Sequence, residues 1–198
     1  WLKPFGPSSR GAISPLAVHQ PPQRALAMGS ICSLMDGGYL GDIVEGDGGS
    51  YGVDQEAAVE AHNRKRAMHS APDLVWSDAC AQHALLAAQQ CASQNCLSHN
   101  NHSEYNEGQN LYMAWSSGDD TYGAKDAVQS WYDEVADYDF NNQGFGGGTG
   151  HFTQVVWAGT TQVGMAKAIA ADGSVYIAAN YSPAGNMMGA FEDNVFAS

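Results

Sequence analysis

Residues Asn101 to Trp115 read NHSEYNEGQNLYMAW, and His102 is followed seven residues later by Gln109 in a glycine-marked turn that leads into an apolar run. An imidazole can bind a metal ion or move a proton near neutral pH. A glutamine amide neither takes nor releases a proton, and its oxygen is a weak metal ligand. A further histidine, His151, stands in GHFTQVVW after a glycine-rich loop. Taken singly, each histidine reads as a hydrogen-bonded structural residue. Ser103 and Ser130 lie near these stretches, but no oriented base or oxyanion site accompanies them, so no nucleophile argument closes.

A site of this kind needs elements to hold it, and from Asp54 onward the pattern supplies them. Asp54 suits the N-cap of a helix through Ala57, Ala58, Val59 and His62 to about Met68, with Ala71-Pro72 beyond its end. Ser77 or Asp78 begins a second helix, DACAQHALLAAQQCAS, rich in alanine and closed before Asn95. A third, from about Ala124 to Ala136, carries Val128, Trp131, Tyr132 and Val135 at helical spacing. NLYMAW reads as a strand. After residue 150 the text turns to β: QVVWAG, QVGMAKAIA and SVYIAANYS, with Asp172-Gly173 as a hairpin turn between the last two. Helices followed by a β-rich end predict an α+β fold, an antiparallel sheet sandwiched by helices. Trp131 and Trp157 read as core aromatics, His62 as a packing histidine, His83 as a surface residue, and Arg64-Lys65-Arg66 as a solvated face.

Residues 1–52 read differently. They hold five of the seven prolines (Pro4, Pro7, Pro15, Pro21, Pro22) and a glycine-rich acidic stretch, DGGYLGDIVEGDGGSYG, with no sustained period. This is the pattern of an extended arm rather than a second domain. Its apolar residues, Trp1, Leu2, Phe5, Ile13 and Leu16, suit docking on a partner protein. ALAMGSICSLM (25–35) faintly resembles the apolar part of a leader segment but is interrupted and far into the chain, and no stretch approaches the ~20 apolar residues of a membrane span. With Lys+Arg 8 against Asp+Glu 21, the net charge of −13 repels phosphate backbones, which argues against nucleic acid. Of the four cysteines, Cys80 and Cys91 fall on one helix about 16 Å apart, too far to pair. Cys91 with Cys96 and Cys32 with Cys80 are feasible disulfides, with buried free thiols as the alternative.

AHNRKR (61–66), LVW (74–76), HSEYNEGQNLY (102–112), AVQSWYDE (127–134), GHFTQVVW (150–157) and NYSPAGN (180–186) together resemble the CAP superfamily. That family includes cysteine-rich secretory proteins, insect venom antigens, plant pathogenesis-related proteins, and fungal secreted and Golgi-associated relatives. The resemblance covers about residues 54–196 and implies a three-layer α/β/α sandwich over 53–198. It also implies a cleft of two histidines and two acids. Position by position these fall on His102, His151 and Glu134, with Gln109 where relatives carry glutamate. His99 is the rival for the His102 position; the serine after His102 and the seven-residue spacing favour His102.

Two neutral imidazoles and a carboxylate form a sensible N,N,O set for Zn²⁺ or another divalent cation, and the resemblance implies such an ion on His102, Glu134 and His151. Gln109 removes one negative charge and weakens a hydrolytic mechanism that leans on both acids. Glu107 would face the same way as Gln109 in a strand and could compensate. Replacing Gln109 with glutamate is expected to tighten metal binding. In fungal and plant relatives the loop matching 138–149 is associated with sterols. Here it carries Tyr138, Phe140 and Phe145 among glycines, a flap suited to an apolar ligand, or else a surface loop packed by its own aromatics.

Three readings follow, in order: a non-catalytic extracellular or secretory-lumen module binding a sterol, fatty acid or other lipid; a subunit of an assembly that uses the arm; and a metal-dependent hydrolase. The C-terminal stretch PAGNMMGAFEDNVF is similar to the Golgi-associated branch.

Overall fold

The computed structural model describes residues 49–100, 102–115 and 122–198. Residues 1–48 of the arm, with Cys32, the 25–35 segment and the partner reading, lie outside the described residues. The packed unit already includes Tyr51 and Val53, and Tyr51 meets Trp76 at 6.0 Å between ring centroids.

Four α-helices, α1 (Gln55–Met68), α2 (Asp78–Gln94), α3 (Ala124–Asp133) and α4 (Gly150–Val156), accompany four strands, β1 (Val75–Trp76), β2 (Gly108–Trp115), β3 (Gln162–Ile169) and β4 (Ser174–Ser182). The sheet order is β1-β3-β4-β2; β1 runs parallel to β3 and the other pairs are antiparallel. Helix α2 covers one face, and α1, α3 and α4 cover the other. The expected three-layer sandwich with a mainly antiparallel sheet is the observed architecture.

Local signals set the helix ends. Asp54 accepts from the Ala57 N–H, Ser77 accepts from the Cys80 N–H, and Asn95 closes α2 in the left-handed conformation. Helix α2 buries Ala81, Ala84, Ala87, Ala88 and Ala92 against the sheet. Small residues allow the close approach. A Cβ at Gly164 on β3 would collide with the backbone of Ala81 and with the Cys80 carbonyl carbon.

Three expectations change. QVVWAG is not a strand: GHFTQVV forms α4, with Phe152, Thr153, Gln154, Val155 and Val156 all buried. The β-branched run suggests β, but a helix buried all round has no polar face to give a 3.6-residue period. Arg66 is not on a solvated face. It is fully buried and donates to the carbonyls of Pro72 (2.7 Å), Val155 (3.0 Å), Trp157 (2.9 Å) and Thr160 (2.9 Å). Burial pulls its pKa down to about 10, still far above neutrality. Finally, Cys80 and Cys91 are free and buried, so neither feasible disulfide involving them forms. The Cys91 thiol instead exchanges weak hydrogen bonds with the Ser98 backbone at 3.4 Å.

His62 meets its packing role: its ring joins the Ala58 carbonyl and the Tyr181 hydroxyl, each at 2.8 Å. Trp131 and Trp157 are buried as expected.

Two outcomes test this scaffold. Arg66→Met leaves four carbonyls without their donor and is expected to lower unfolding free energy by about 3–5 kcal/mol in urea titrations. Burial lowers the His62 pKa to about 4, from the ordinary 6.5. Between those values the unfolded chain binds a proton that the folded chain refuses. Stability is therefore complete above pH 6.5 and falls by on the order of 3 kcal/mol as pH drops to 4, and His62→Gln flattens that slope.

Candidate functional site

The tight turn Glu134–Asp137 follows α3 directly, and this carries the Glu134 side chain to the start of α4. There its Oε1 accepts from His151 Nδ1 at 2.7 Å, while Oε2 accepts from the backbone N–H groups of His151 (3.0 Å) and Phe152 (3.1 Å). A carboxylate at a helix N-terminus satisfies otherwise unpaired donors and is favoured by the helix dipole. Glu134 thus places α4 and orients its histidine in one contact.

The segment before β2 brings up His99 and His102, with ring centroids 5.4 Å apart. His102 Nδ1 donates to the Glu107 backbone carbonyl at 2.8 Å. His99 Nδ1 bonds Gln109 Oε1 at 2.9 Å. The rival histidine, not His102, is therefore the one joined to Gln109, and both rings border the site. Loss of water around its inner edge lowers the His99 pKa; the Gln109 amide oxygen opposes this, and the neighbouring His102 and His151 add to it.

The tautomers follow from the partners. A carboxylate and a backbone carbonyl only accept, so neutral His151 and His102 carry their protons on Nδ1 and turn a bare Nε2 outward. Among the described residues, the Nε2 atoms of His99, His102 and His151 have no hydrogen-bond partner. The site thus presents imidazole acceptors.

Gln109 is buried and donates through Nε2 to Asn100 Oδ1 (2.9 Å) and to Asn180 Oδ1 (3.0 Å). Asn180 Nδ2 in turn donates to Glu107 Oε2 at 2.8 Å. Glu107, also buried, takes His83 Nδ1 at 3.0 Å and the Cys80 thiol at 3.5 Å. His83 is therefore not a simple surface residue: it is half-buried, paired with Glu107 and stacked on Tyr105 at 3.6 Å. Burial raises the Cys80 pKa to about 11, which keeps this thiol protonated and unreactive. His83, Asn100 and Asn180 are not legible in the sequence as site residues, since their partners are 9 to 73 positions away.

Among the described residues, no three His, Cys, Asp or Glu side chains come together as ligands for one ion. Glu134 acts on the Nδ1 side of His151, behind the ring from the nitrogen that an ion would use.

The loop residues separate into two roles. Tyr138 and Phe140 join an aromatic cluster with Phe152 and His69; Tyr138 and Phe140 meet edge to face at 4.9 Å, and Phe140 stacks on His69. Phe145 is 57% exposed and its ring lies against Gly150 at the start of α4. From the other side Asn186 donates to the Gly150 carbonyl at 2.8 Å. Asn186 is followed by Met187 and Met188, both exposed.

The fold is an α/β/α sandwich in which His151 pairs with Glu134 and His99 with Gln109. The Cysteine-rich secretory protein (CAP) family model matches residues 59–181, and the chain belongs to that family. It is 40% identical over 140 residues to human Golgi-associated plant pathogenesis-related protein 1, covering 69% of this chain and 88% of the relative. It is 40% identical to Protein PRY2 of Saccharomyces cerevisiae over 69% of this chain and 39% of that protein. Pathogenesis-related protein 1C of Nicotiana tabacum is 39% identical over 68% and 78% of the two chains. Among solved structures, NaASP2 with Zn²⁺ superposes with a TM-score of 0.59 at 25% identity, covering 73% of this chain and 85% of that one. No helix among the described residues is long and apolar enough to cross a membrane.

Glu134→Ala removes the acceptor for three donors at the head of α4 and is expected to cost about 2–3 kcal/mol of stability. Glu134→Gln keeps an acceptor for the backbone donors and should cost less than about 1 kcal/mol in the same urea titration.

Proposed function

We propose that this CAP domain is a non-catalytic binding module of the extracellular space or secretory lumen, and that its ligand is a sterol or other lipid with a polar end. One observation carries the reading: exposed Phe145 lies against Gly150, next to His151, and exposed Met187 and Met188 follow Asn186, which bonds the same Gly150. An apolar shelf beside hydrogen-bond acceptors matches an amphipathic molecule, whose body lies on the shelf while its head reaches the cleft. Phe145 alone of the three loop aromatics remains available for this, since Tyr138 and Phe140 are held in the core cluster. Gln109 supports binding over turnover, because an amide in that place cannot exchange a proton. The relative named as Golgi-associated and the pathogenesis-related relatives accord with a secretory-pathway location.

Zn²⁺ or another divalent cation is a proposal for the same cleft. With Glu134 committed to His151 Nδ1, the ion would rest on imidazole nitrogens, with water completing its shell. The assembly reading rests on residues 1–52, of which 1–48 are outside the described residues.

Binding of a fluorescent sterol and a fluorescent fatty acid by the purified chain checks the reading. Phe145→Asp should weaken capture about tenfold, corresponding to ~1.4 kcal/mol of lost apolar contact, with no change in thermal stability. Wild-type protein that captures neither probe, or an unaffected Phe145→Asp variant, overturns it.

A further inference from the structure

The tautomers of His102 and His151 are imposed by groups that can only accept. That of His99 is not, because its partner is an amide, and an amide presents an oxygen or an NH₂ depending on which way it is turned. What turns the Gln109 amide can be traced from the far end. Glu107 is a buried carboxylate, and a carboxylate offers only acceptors. The Asn180 group facing it at 2.8 Å must therefore be the NH₂, which leaves Asn180 Oδ1 toward Gln109. Facing that oxygen at 3.0 Å, Gln109 must present its own NH₂, and Asn100 Oδ1 at 2.9 Å agrees. Gln109 Oε1 then points to His99 Nδ1, at 2.9 Å, and accepts from it. Each bond direction dictates the next.

We propose that Glu107 is a positioning acid for the cleft: through Asn180 and Gln109 it holds the proton of His99 on Nδ1, so that Nε2 is a bare acceptor like those of His102 and His151, and the cleft receives a hydroxyl-bearing ligand in preference to a carboxylate. The ligand clause rests on the lipid-binding reading above; the relay does not. An alcohol O–H can donate to one of these imidazole lone pairs, whereas a carboxylate brings only further lone pairs. His83 completes the arrangement on the outer side of Glu107, donating at 3.0 Å, and Asn180 is fully buried, so water does not interrupt the relay there.

The relay also changes what Gln109→Glu does. With Glu107 in place, two carboxylates would flank Asn180, which has one NH₂ to share between them. The single variant is expected to be destabilised rather than merely better at holding cations. The exchange Glu107→Gln with Gln109→Glu lets Asn180 and Asn100 both reverse, and every bond in the relay is again satisfied.

The test is long-range ¹H–¹⁵N correlation of the histidine rings in the ¹⁵N-labelled full chain at neutral pH, with His99 assigned by loss of its signals in His99→Asn. In the wild type, His99 Nδ1 should be pyrrole-type and Nε2 pyridine-type. In Glu107→Gln the relay can run either way, so the two His99 nitrogens should move toward each other or interchange. His151 and His102 should hold their shifts as internal controls, and His62 reports that the core is folded. The double variant Glu107→Gln/Gln109→Glu should restore the wild-type His99 pattern. A protonated Nε2 on wild-type His99, or an unchanged His99 spectrum in folded Glu107→Gln, overturns the relay. For the ligand clause, a sterol probe with a free hydroxyl should bind the wild type more tightly than a fatty-acid probe, and Glu107→Gln should narrow that ratio. Equal binding overturns the ligand clause alone. Binding of neither probe overturns the lipid reading and the ligand clause with it, while the spectra decide the relay independently.

Discussion

The buried guanidinium of Arg66 is the constraint on which the cleft depends. Its hydrogen bonds go to four backbone carbonyls, those of Pro72, Val155, Trp157 and Thr160. Two of these belong to the last residues of α4 and its cap, where the helix dipole is negative. At the other end of the same seven-residue helix, Glu134 collects the first N–H groups. A helix this short has little stability of its own. It is held because a cation sits at its C-terminus and an anion at its N-terminus. His151 is on its first turn, so the imidazole inherits its place from these two charges.

The second side of the cleft is held by a different device, a run of buried amides anchored on one carboxylate. Gln109 lies at the second position of β2, opposite Asn180 of β4 in the strand register, and the pairing of backbones brings the two side chains together. In water such amide bonds contribute little, but inside the fold an unsatisfied partner would be costly, so the set is held as a whole. The two sides of the cleft thus carry different electrostatics: a carboxylate behind His151, and an amide behind His99 with the carboxylate two links further back.

Much of the fold is legible in the chain, and the exceptions share a cause. Asp54, Ser77 and Asn95 mark helix ends through bonds to residues three or four positions away, so their meaning is local. The β-rich runs of the last two strands and the Asp172-Gly173 turn between them are equally local. In contrast, QVVWAG reads as a strand because its β-branched run shows no helical period, whereas GHFTQVV forms a helix that the fold buries on nearly every side. Arg66 reads as one cation of an exposed run, and only the tertiary fold ends α4 beside it. His83 reads as a surface residue of α2, and only the fold lays Glu107 against it.

The site divides in the same way. The family resemblance picks out His102, Gln109, Glu134 and His151, and the same resemblance marks Gln109 as standing where relatives carry an acid. It cannot say which histidine meets Gln109. His99 and His102 are three positions apart in an irregular segment, and no periodicity tells which ring turns toward β2. Folding settles that choice, because the Gln109 oxygen is aimed by Asn180, and Asn180 by Glu107, across strands far apart in the chain. Likewise, aromatic composition marks the 138–149 loop, but packing against Phe152 assigns Tyr138 and Phe140 to the core and leaves Phe145 exposed to water. Residue types set what each group is able to do; long-range hydrogen bonds and burial, which no local pattern encodes, set which of those abilities remains available.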